Sequence, residues 1–212
     1  MIVHECVQGT NDWVRLRIGI PTASQFHRIF QPVRRKPSES RGIYLLELLD
    51  EWVSGQREEP FENKWTTRGR EMEPEARFGY EMEHGAVVRQ VGFVTRDDGL
   101  CGGSPDGLVG DDTVLEIKVP SPQIHSGIVA GKKPGHTAQC QGLLYVCERS
   151  KAHLWTYSPT GESVLHEIDR DDEMIAEMVP VLDEFCAELE AEKQNLAAIY
   201  GWDSLRTIGS RQ

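Results

Sequence analysis

The chain has 212 residues, of which 39% are hydrophobic and 27% charged. That is the length and composition of one ordinary globular domain with a core able to stand alone, and it excludes a disordered chain. A formal charge of −11 has the wrong sign for a protein that coats nucleic acid indiscriminately, so any such role must rest on locally clustered Arg and Lys.

In chain order, residues 22–30 (TASQFHRIF) follow a proline and read as a short helix capped by Thr22 or Ser24. Residues 31–40 read as a loop by their prolines and serines, and carry the basic triplet Arg34, Arg35, Lys36. Residues 41–55 have the period of an amphipathic helix ended by Gly55. Residues 66–84 have it again, closed by Gly85. Pro74 costs about 3 kcal/mol inside a helix, which places a start or a kink near Glu73. One strand is expected over 86–95, and after a turn a second over 113–119, stopped by Pro120 and Pro122.

A helix over 135–150 follows, then a hairpin of strands 152–158 and 163–169 across PTGE. From Asp171 a long helix sets Met174, Ile175, Met178, Leu182, Phe185 and Leu189 on one stripe, with a kink expected at Pro180. Residues 198–212 are too weakly patterned to place. Helices before and after a central group of strands, without a composition break, give one α/β domain over 1–212 with its core at about 13–190.

The five cysteines are scattered, suit neither a disulfide framework nor a metal or iron–sulfur spacing, and read as small buried hydrophobes of a reducing cytosol. The first ten residues lack the pattern of a secretory signal, and no apolar run approaches the ~18 residues of a membrane span. A cytoplasmic protein is expected. His84, His125, His136, His153 and His166 have no HExxH-like spacing, and no GxxxxGK[ST] is present for an ATP-driven motor.

The chemistry concentrates in SPDGLVGDDTVLEIK (104–118). In a strand TVLEIKV, Leu115, Ile117 and Val119 point to a core, while Val114, Glu116 and Lys118 share the other face. That sets a carboxylate and an ammonium roughly 7 Å apart at the Cα level, where neither group is readily buried without a partner. An ordinary ion pair is the plain explanation. Asp106 offers another, because a hairpin from 104 to 118 brings it back beside Glu116. Two converging carboxylates make a hard-oxygen site for Mg²⁺ or Mn²⁺, and an adjacent Lys118 would hold or deprotonate an attacking water. On the helical wheel Glu73 shares a face with Ala76, Arg77 and Tyr80. It is a third acid if that helix packs over the hairpin, and a solvated one if it does not.

Five blocks in order carry a resemblance: LRIGIPTASQFHRI (16–29), GREMEPEARFGYE (69–81), GGSPDGLV (102–109), LEIKVP (115–120) and AQCQGLLYV (138–146). The sequence resembles the phage lambda-type exonucleases, the YqaJ viral recombinase family of the PD-(D/E)xK nuclease superfamily. The resemblance implies a restriction-endonuclease-like core with a central mixed β-sheet flanked by helices. It also implies a 5′→3′ exonuclease that turns one strand of linear double-stranded DNA into mononucleotides and leaves a 3′ overhang for a single-strand annealing protein.

By matched position, Asp106, Glu116 and the main-chain carbonyl of Ile117 would bind one metal, Glu73 would complete a second site, and Lys118 would be the catalytic lysine. Arg17, Ser24, Ser104 and Gln139 would hold the 5′-phosphate, a guanidinium plus neutral donors being a suitable set for that group. Gln141 is read as supporting or structural. A ring-shaped homotrimer and a phage or prophage origin in a bacterial host also follow from the resemblance alone.

The family's strand-separating loop has no clear counterpart, since RRKPSESRG lacks a large apolar residue; Ile43 does that work, or the strands are parted differently. Arg34, Arg35 and Lys36 are candidate DNA-backbone contacts, as are Lys132 and Lys133. Rival readings are a sequence- or structure-specific endonuclease of the same superfamily, a DNA-binding scaffold of this fold without catalysis, and a nuclease of RNA.

Overall fold

A computed structural model of the protein describes residues 1–57 and 64–202. It opens with strand β1 (Ile2–His4) and helix α1 (Asn11–Arg17), neither of which has a hydrophobic period. The helix is set by its cap: Thr10 accepts from the Trp13 amide, and no residue of α1 is buried. The expected short helix is a 3-10 turn, Ala23–Arg28, in which Thr22 holds the N-cap position without a side-chain cap bond. Beyond it the expected loop contains a two-stranded ribbon, β2 (Phe30–Gln31) and β3 (Lys36–Pro37).

Helix α2 (Arg41–Ser54) ends as expected on a left-handed Gly55. Helix α3 (Lys64–His84) does not start at Glu73 but runs on through Pro74. Pro74 lies on the exposed side, so the backbone bond it forgoes faces water. Ala76 and Tyr80 hold the opposite side in the core, where Trp155 Nε1 donates to the Ala76 carbonyl at 3.0 Å.

The single strand expected over 86–95 is two, β4 (Val88–Arg89) and β5 (Phe93–Thr95), in different sheets. The break is at Gly92, where a Cβ would sit 2.2 Å from the carbonyl oxygen of Cys6. Strands β6 (Gly102–Gly103), β7 (Gly107–Val109) and β8 (Thr113–Lys118) follow. Helix α4 (Pro122–Val129) was not foreseen, although Pro122 at its first turn is a standard start signal. Then come α5 (Thr137–Val146), the hairpin β9 (Lys151–Thr156) and β10 (Val164–Asp169), and α6 (Asp172–Tyr200). All six residues of the expected α6 stripe are buried, and Pro180 is exposed within the helix. Of the unplaced tail, 198–200 finish α6, and 203–212 lie outside the described residues.

The main sheet has the order β10-β9-β8-β7-β4, antiparallel except for the parallel pair β8–β9. A smaller antiparallel sheet, β1-β5-β6, stands apart from it. This is the expected mixed α/β architecture, a central sheet flanked by helices. Strand β8 separates two apolar clusters: Val114 packs with residues of α2, α5 and α6, while Leu115, Ile117 and Val119 pack with Ala76, Tyr80 and Trp155. The face alternation read from TVLEIKV is therefore the alternation found, with a core on both sides. Cys101, Cys140, Cys147 and Cys186 are buried free thiols.

Helix α5 is locked to the start of α6 by Gln141, 3% exposed. Its amide nitrogen donates to the Asp169 carbonyl at 2.8 Å and its oxygen accepts from the Asp171 amide at 2.9 Å. Gln141→Ala should lower the unfolding free energy by about 2–4 kcal/mol, since two backbone groups lose their partners. Urea unfolding checks this; a change below about 0.5 kcal/mol would mean that water replaces the amide without penalty.

Candidate active site

The site is built on the β7–β8 hairpin. Gly107 pairs with Leu115, Leu108 with Val114 and Val109 with Thr113. One step further in this register, Asp106 faces Glu116 from the neighbouring strand, as the spacing of SPDG and LEIK requires. Asp106 Oδ2 accepts from the Ile117 amide at 2.5 Å. The preceding loop is held from the N-terminal segment, where Gln8 Nε2 donates to the Pro105 carbonyl at 2.8 Å and the Val91 carbonyl at 3.0 Å.

Glu116 is 2% exposed. Its Oε1 accepts from Lys118 Nζ at 2.5 Å and from Gln139 Nε2 at 2.6 Å, whereas its Oε2 is buried without a hydrogen-bond partner among the described residues. Loss of water, and then the charge of Glu116, push the Asp106 carboxyl well above the usual range. For Lys118, burial pulls the ammonium down, but Glu116 and Asp106 outweigh it and the net direction is up. The two acids thus favour the charged form of Lys118, whose Nζ acts as a hydrogen-bond donor in this arrangement.

Glu73 is raised by burial, eased by the adjacent Arg77 guanidinium and raised again by Glu116. Its carboxylate is hydrogen-bonded to Arg77 one turn along α3. Glu73 thus belongs to the cluster electrostatically while its oxygens face Arg77. Among the described residues no three Asp, Glu, His or Cys side chains converge closely enough to enclose a metal ion. Two neighbours were not singled out in the sequence. His136, at the N-cap of α5, is lowered to about 4 by burial and by Lys118, and the Cys140 thiol is pushed up to about 12 by burial and Glu116.

Beside this cluster three elements meet on small residues. A Cβ built at Gly103 or at Gly142 would lie 3.2 Å from the Cβ of Ala23, so β6, α5 and the 3-10 turn are in van der Waals contact. Ser104, Gln139 and Ser24 extend from these three elements. Ser24 Oγ lies 3.3 Å from Thr22 Oγ1. Ser104 Oγ accepts from Trp13 Nε1 at 2.8 Å, and the Arg17 guanidinium carbon stands 3.8 Å from the centroid of a Trp13 ring. Trp13 therefore joins Arg17 to Ser104, a role the sequence reading missed. The available signal was the i, i+4 spacing of Trp13 and Arg17 on one helix.

The remaining candidates lie elsewhere. Gln141 is engaged with the backbone at Asp169 and Asp171, so its role is structural. Arg35, in a left-handed backbone conformation, is bound to α6 through Glu177 at 3.0 Å, Glu173 at 3.1 Å and Asp171 at 3.7 Å. Arg34 and Lys36 are exposed beside it, as are Lys132 and Lys133 after α4. Ile43 is 61% exposed on α2, and Val33, at the turn of the β2–β3 ribbon, is 94% exposed.

A family model described as the YqaJ-like viral recombinase domain matches residues 12–150. No curated protein matches the chain. Among solved structures, it is similar to an alkaline exonuclease, LHK-Exo, from Laribacter hongkongensis, with 32% identity over 91% of this chain and 98% of that one and a TM-score of 0.80. The same enzyme in complex with dAMP matches with 32% identity, equal coverage and a TM-score of 0.79. A phage-related exonuclease from Haemophilus somnus 129PT, 18% identical over 82% of this chain and 96% of that one, shares the fold with a TM-score of 0.59. The residues that carry the two blocks SPDG and LEIK, the register that sets them side by side and the match over 12–150 agree: the chain belongs to the YqaJ-like viral recombinase family.

Proposed function

We propose that the protein is a metal-dependent 5′→3′ exonuclease of linear double-stranded DNA, which releases 5′-mononucleotides and leaves a 3′ single strand for an annealing protein. The observation that carries this reading is the Asp106–Glu116–Lys118 cluster, above all Glu116 Oε2, a buried carboxylate oxygen without a partner among the described residues. An orphaned anionic oxygen beside a second acid is unfavourable, and a hard divalent cation is the group that relieves both. The all-oxygen donor set suits Mg²⁺, with Mn²⁺ as a substitute. Asp106, Glu116 and the Ile117 carbonyl would hold one ion, and Glu73 would complete a site for a second. Such a cation supplies Lewis acidity at the phosphate.

The chain's own groups do the rest. Lys118, held in its charged form, donates to the phosphate or to the incoming water and offsets negative charge as the attack proceeds. Gln139 holds Glu116 Oε1 from the other side and so fixes the carboxylate plane. Arg17, propped on Trp13, together with Ser24 and Ser104, receives a terminal 5′-phosphate and sets the distance from the strand end to the bond cut. In support, LHK-Exo has been crystallised with dAMP, a mononucleotide of the kind such cleavage would release.

A ring-shaped homotrimer would keep the DNA enclosed, with the net acidity on its outer surface. Function in the cytoplasm of a bacterial host, from a phage or prophage source, accords with the buried free thiols. No described helix is long and apolar enough to cross a membrane. An endonuclease of the same superfamily is the second reading, because the carboxylate cluster alone does not require a DNA end.

Lys118→Ala should lower cleavage by about a hundredfold or more, with duplex binding in EDTA retained. Cleavage within about tenfold of wild type, followed by release of acid-soluble nucleotides, would remove the lysine from the mechanism. EDTA should abolish cleavage of a linear 5′-phosphorylated duplex and Mg²⁺ restore it, while a covalently closed circle of the same sequence stays intact. Nicking of the circle would favour the endonuclease. Trp13→Phe keeps a ring under Arg17 but deletes the donor to Ser104, so the preference for 5′-phosphorylated over 5′-hydroxyl ends should fall by about threefold to tenfold. Paired kcat/KM values on the two ends measure it, and an unchanged ratio would make that hydrogen bond irrelevant to end recognition.

A further inference from the structure

Helix α1 carries Arg17 at its last position, yet none of its seven residues is buried. The place of that guanidinium is therefore not set by a buried side chain of its own helix, and polar ties take that part. One tie is the hydrogen bond from Trp13 to Ser104. The other lies at the exit of the helix, where the chain turns through Gly19 at a φ of +66°. A Cβ at Gly19 would sit 2.9 Å from the Cβ of Trp52, so this turn is pressed against α2.

Glu51, in the last turn of α2, and Arg57, just beyond it, close on the same turn. Arg57 Nη1 donates to the Arg17 carbonyl at 2.8 Å and to Glu51 Oε2 at 3.1 Å. That Glu51 oxygen also accepts from the Gly19 amide at 3.0 Å. Carbonyls in the last turn of a helix have no intrahelical partner, so Arg57 completes α1 from outside. The side chains of Arg57 and Glu51 are 11% and 15% exposed. Burial pushes the Glu51 carboxyl up, and Arg57, the Gly19 amide and Arg17 each draw it partly back. Glu51 therefore stands within reach of the Arg17 charge while it holds the backbone behind it.

An ion pair this far from water adds little net stability over apolar residues of the same size, because both charges are desolvated. What the pair secures is geometry: its bonds close a ring through Arg17, Gly19, Glu51 and Arg57. Recognition of a phosphate by a guanidinium needs the donors held to within about 0.5 Å. Resting on the reading of Arg17 as the receiver of a terminal 5′-phosphate, we infer that Glu51 and Arg57 are positioning residues for recognition of the DNA end. They act through Arg17, at the opposite end of α1 from the Trp13 tie.

Binding of a duplex in EDTA, with 5′-phosphorylated and 5′-hydroxyl ends compared by fluorescence anisotropy, tests this without hydrolysis. The readout is the ratio of the two affinities, which a smaller fraction of folded protein leaves unchanged. Arg57→Ala should lower that ratio about fivefold to tenfold. In an Arg17→Ala background the same change should lower it by less than about twofold, since the group being positioned is gone. Equal effects in the two backgrounds, or an undiminished ratio in Arg57→Ala, overturn the inference.

Should Arg57→Ala not fold, because the Glu51 carboxylate has lost its cation, Glu51→Gln combined with Arg57→Met leaves no charge stranded. The ratio should again fall about fivefold, and an unchanged ratio counts against the pair. Arg17→Ala alone separates this inference from the reading beneath it. If the wild-type protein prefers the phosphorylated end and Arg17→Ala does not, end recognition by Arg17 stands whatever Arg57→Ala shows. A wild-type protein without that preference, or an Arg17→Ala variant that keeps it, removes the Arg17 reading, and the positioning role falls with it.

Discussion

A carboxylate buried in the central strand of the sheet is the constraint around which this molecule is arranged. Glu116 is flanked by two apolar clusters, and at 2% exposure it must be met by donors or by a cation. Lys118 meets one oxygen from the same strand, and Gln139 meets it from α5. The other oxygen is buried and has no hydrogen-bond partner among the described residues. A structure that served stability alone would place an apolar residue here, as it does at Val114 one step back on the same face. The position is held against its own burial energetics, and the neighbouring groups are what make it tolerable.

That arrangement depends on close approaches made possible by absent side chains. Gly103 and Gly142 let β6 and α5 close on Ala23, which brings the segments carrying Ser24, Ser104 and Gln139 to one junction. Gly107 admits Val88 of β4 against the hairpin, where a Cβ would lie 2.2 Å from Val88 Cγ1. These contacts tie the site to both sheets. Trp13 then adds a rigid link between the guanidinium of Arg17 and the serine ahead of Asp106.

What could be read without coordinates was whatever depends on local spacing. The face alternation of β8, the stripe of α6 and the left-handed stop at Gly55 are each set within a few residues, and each is found as expected. The split at Gly92 was hidden because its cause, Cys6, lies 86 residues earlier in the chain. Helix α4 is only eight residues long, too short for a period to show. The basic triplet reads as a nucleic-acid contact, yet Arg35 is held by acids of α6 more than 130 residues away. Pro74 does not start the helix for a different reason: the tertiary packing of Ala76 and Tyr80 outweighs a local penalty of about 3 kcal/mol. Trp13 shows a further limit, since its partners are an arginine nearby and a serine 91 residues on.

The bond from Gln8 to the Pro105 carbonyl gives the first ten residues an influence out of proportion to their contacts. They form an edge strand of three residues and a half-exposed turn, the kind of segment that opens at much lower free energy than the core. Any opening of that segment would act first on the loop that carries Asp106, because Gln8 bonds the carbonyl immediately before that acid. The geometry of the acid is thus tied to a margin of the molecule as well as to its interior.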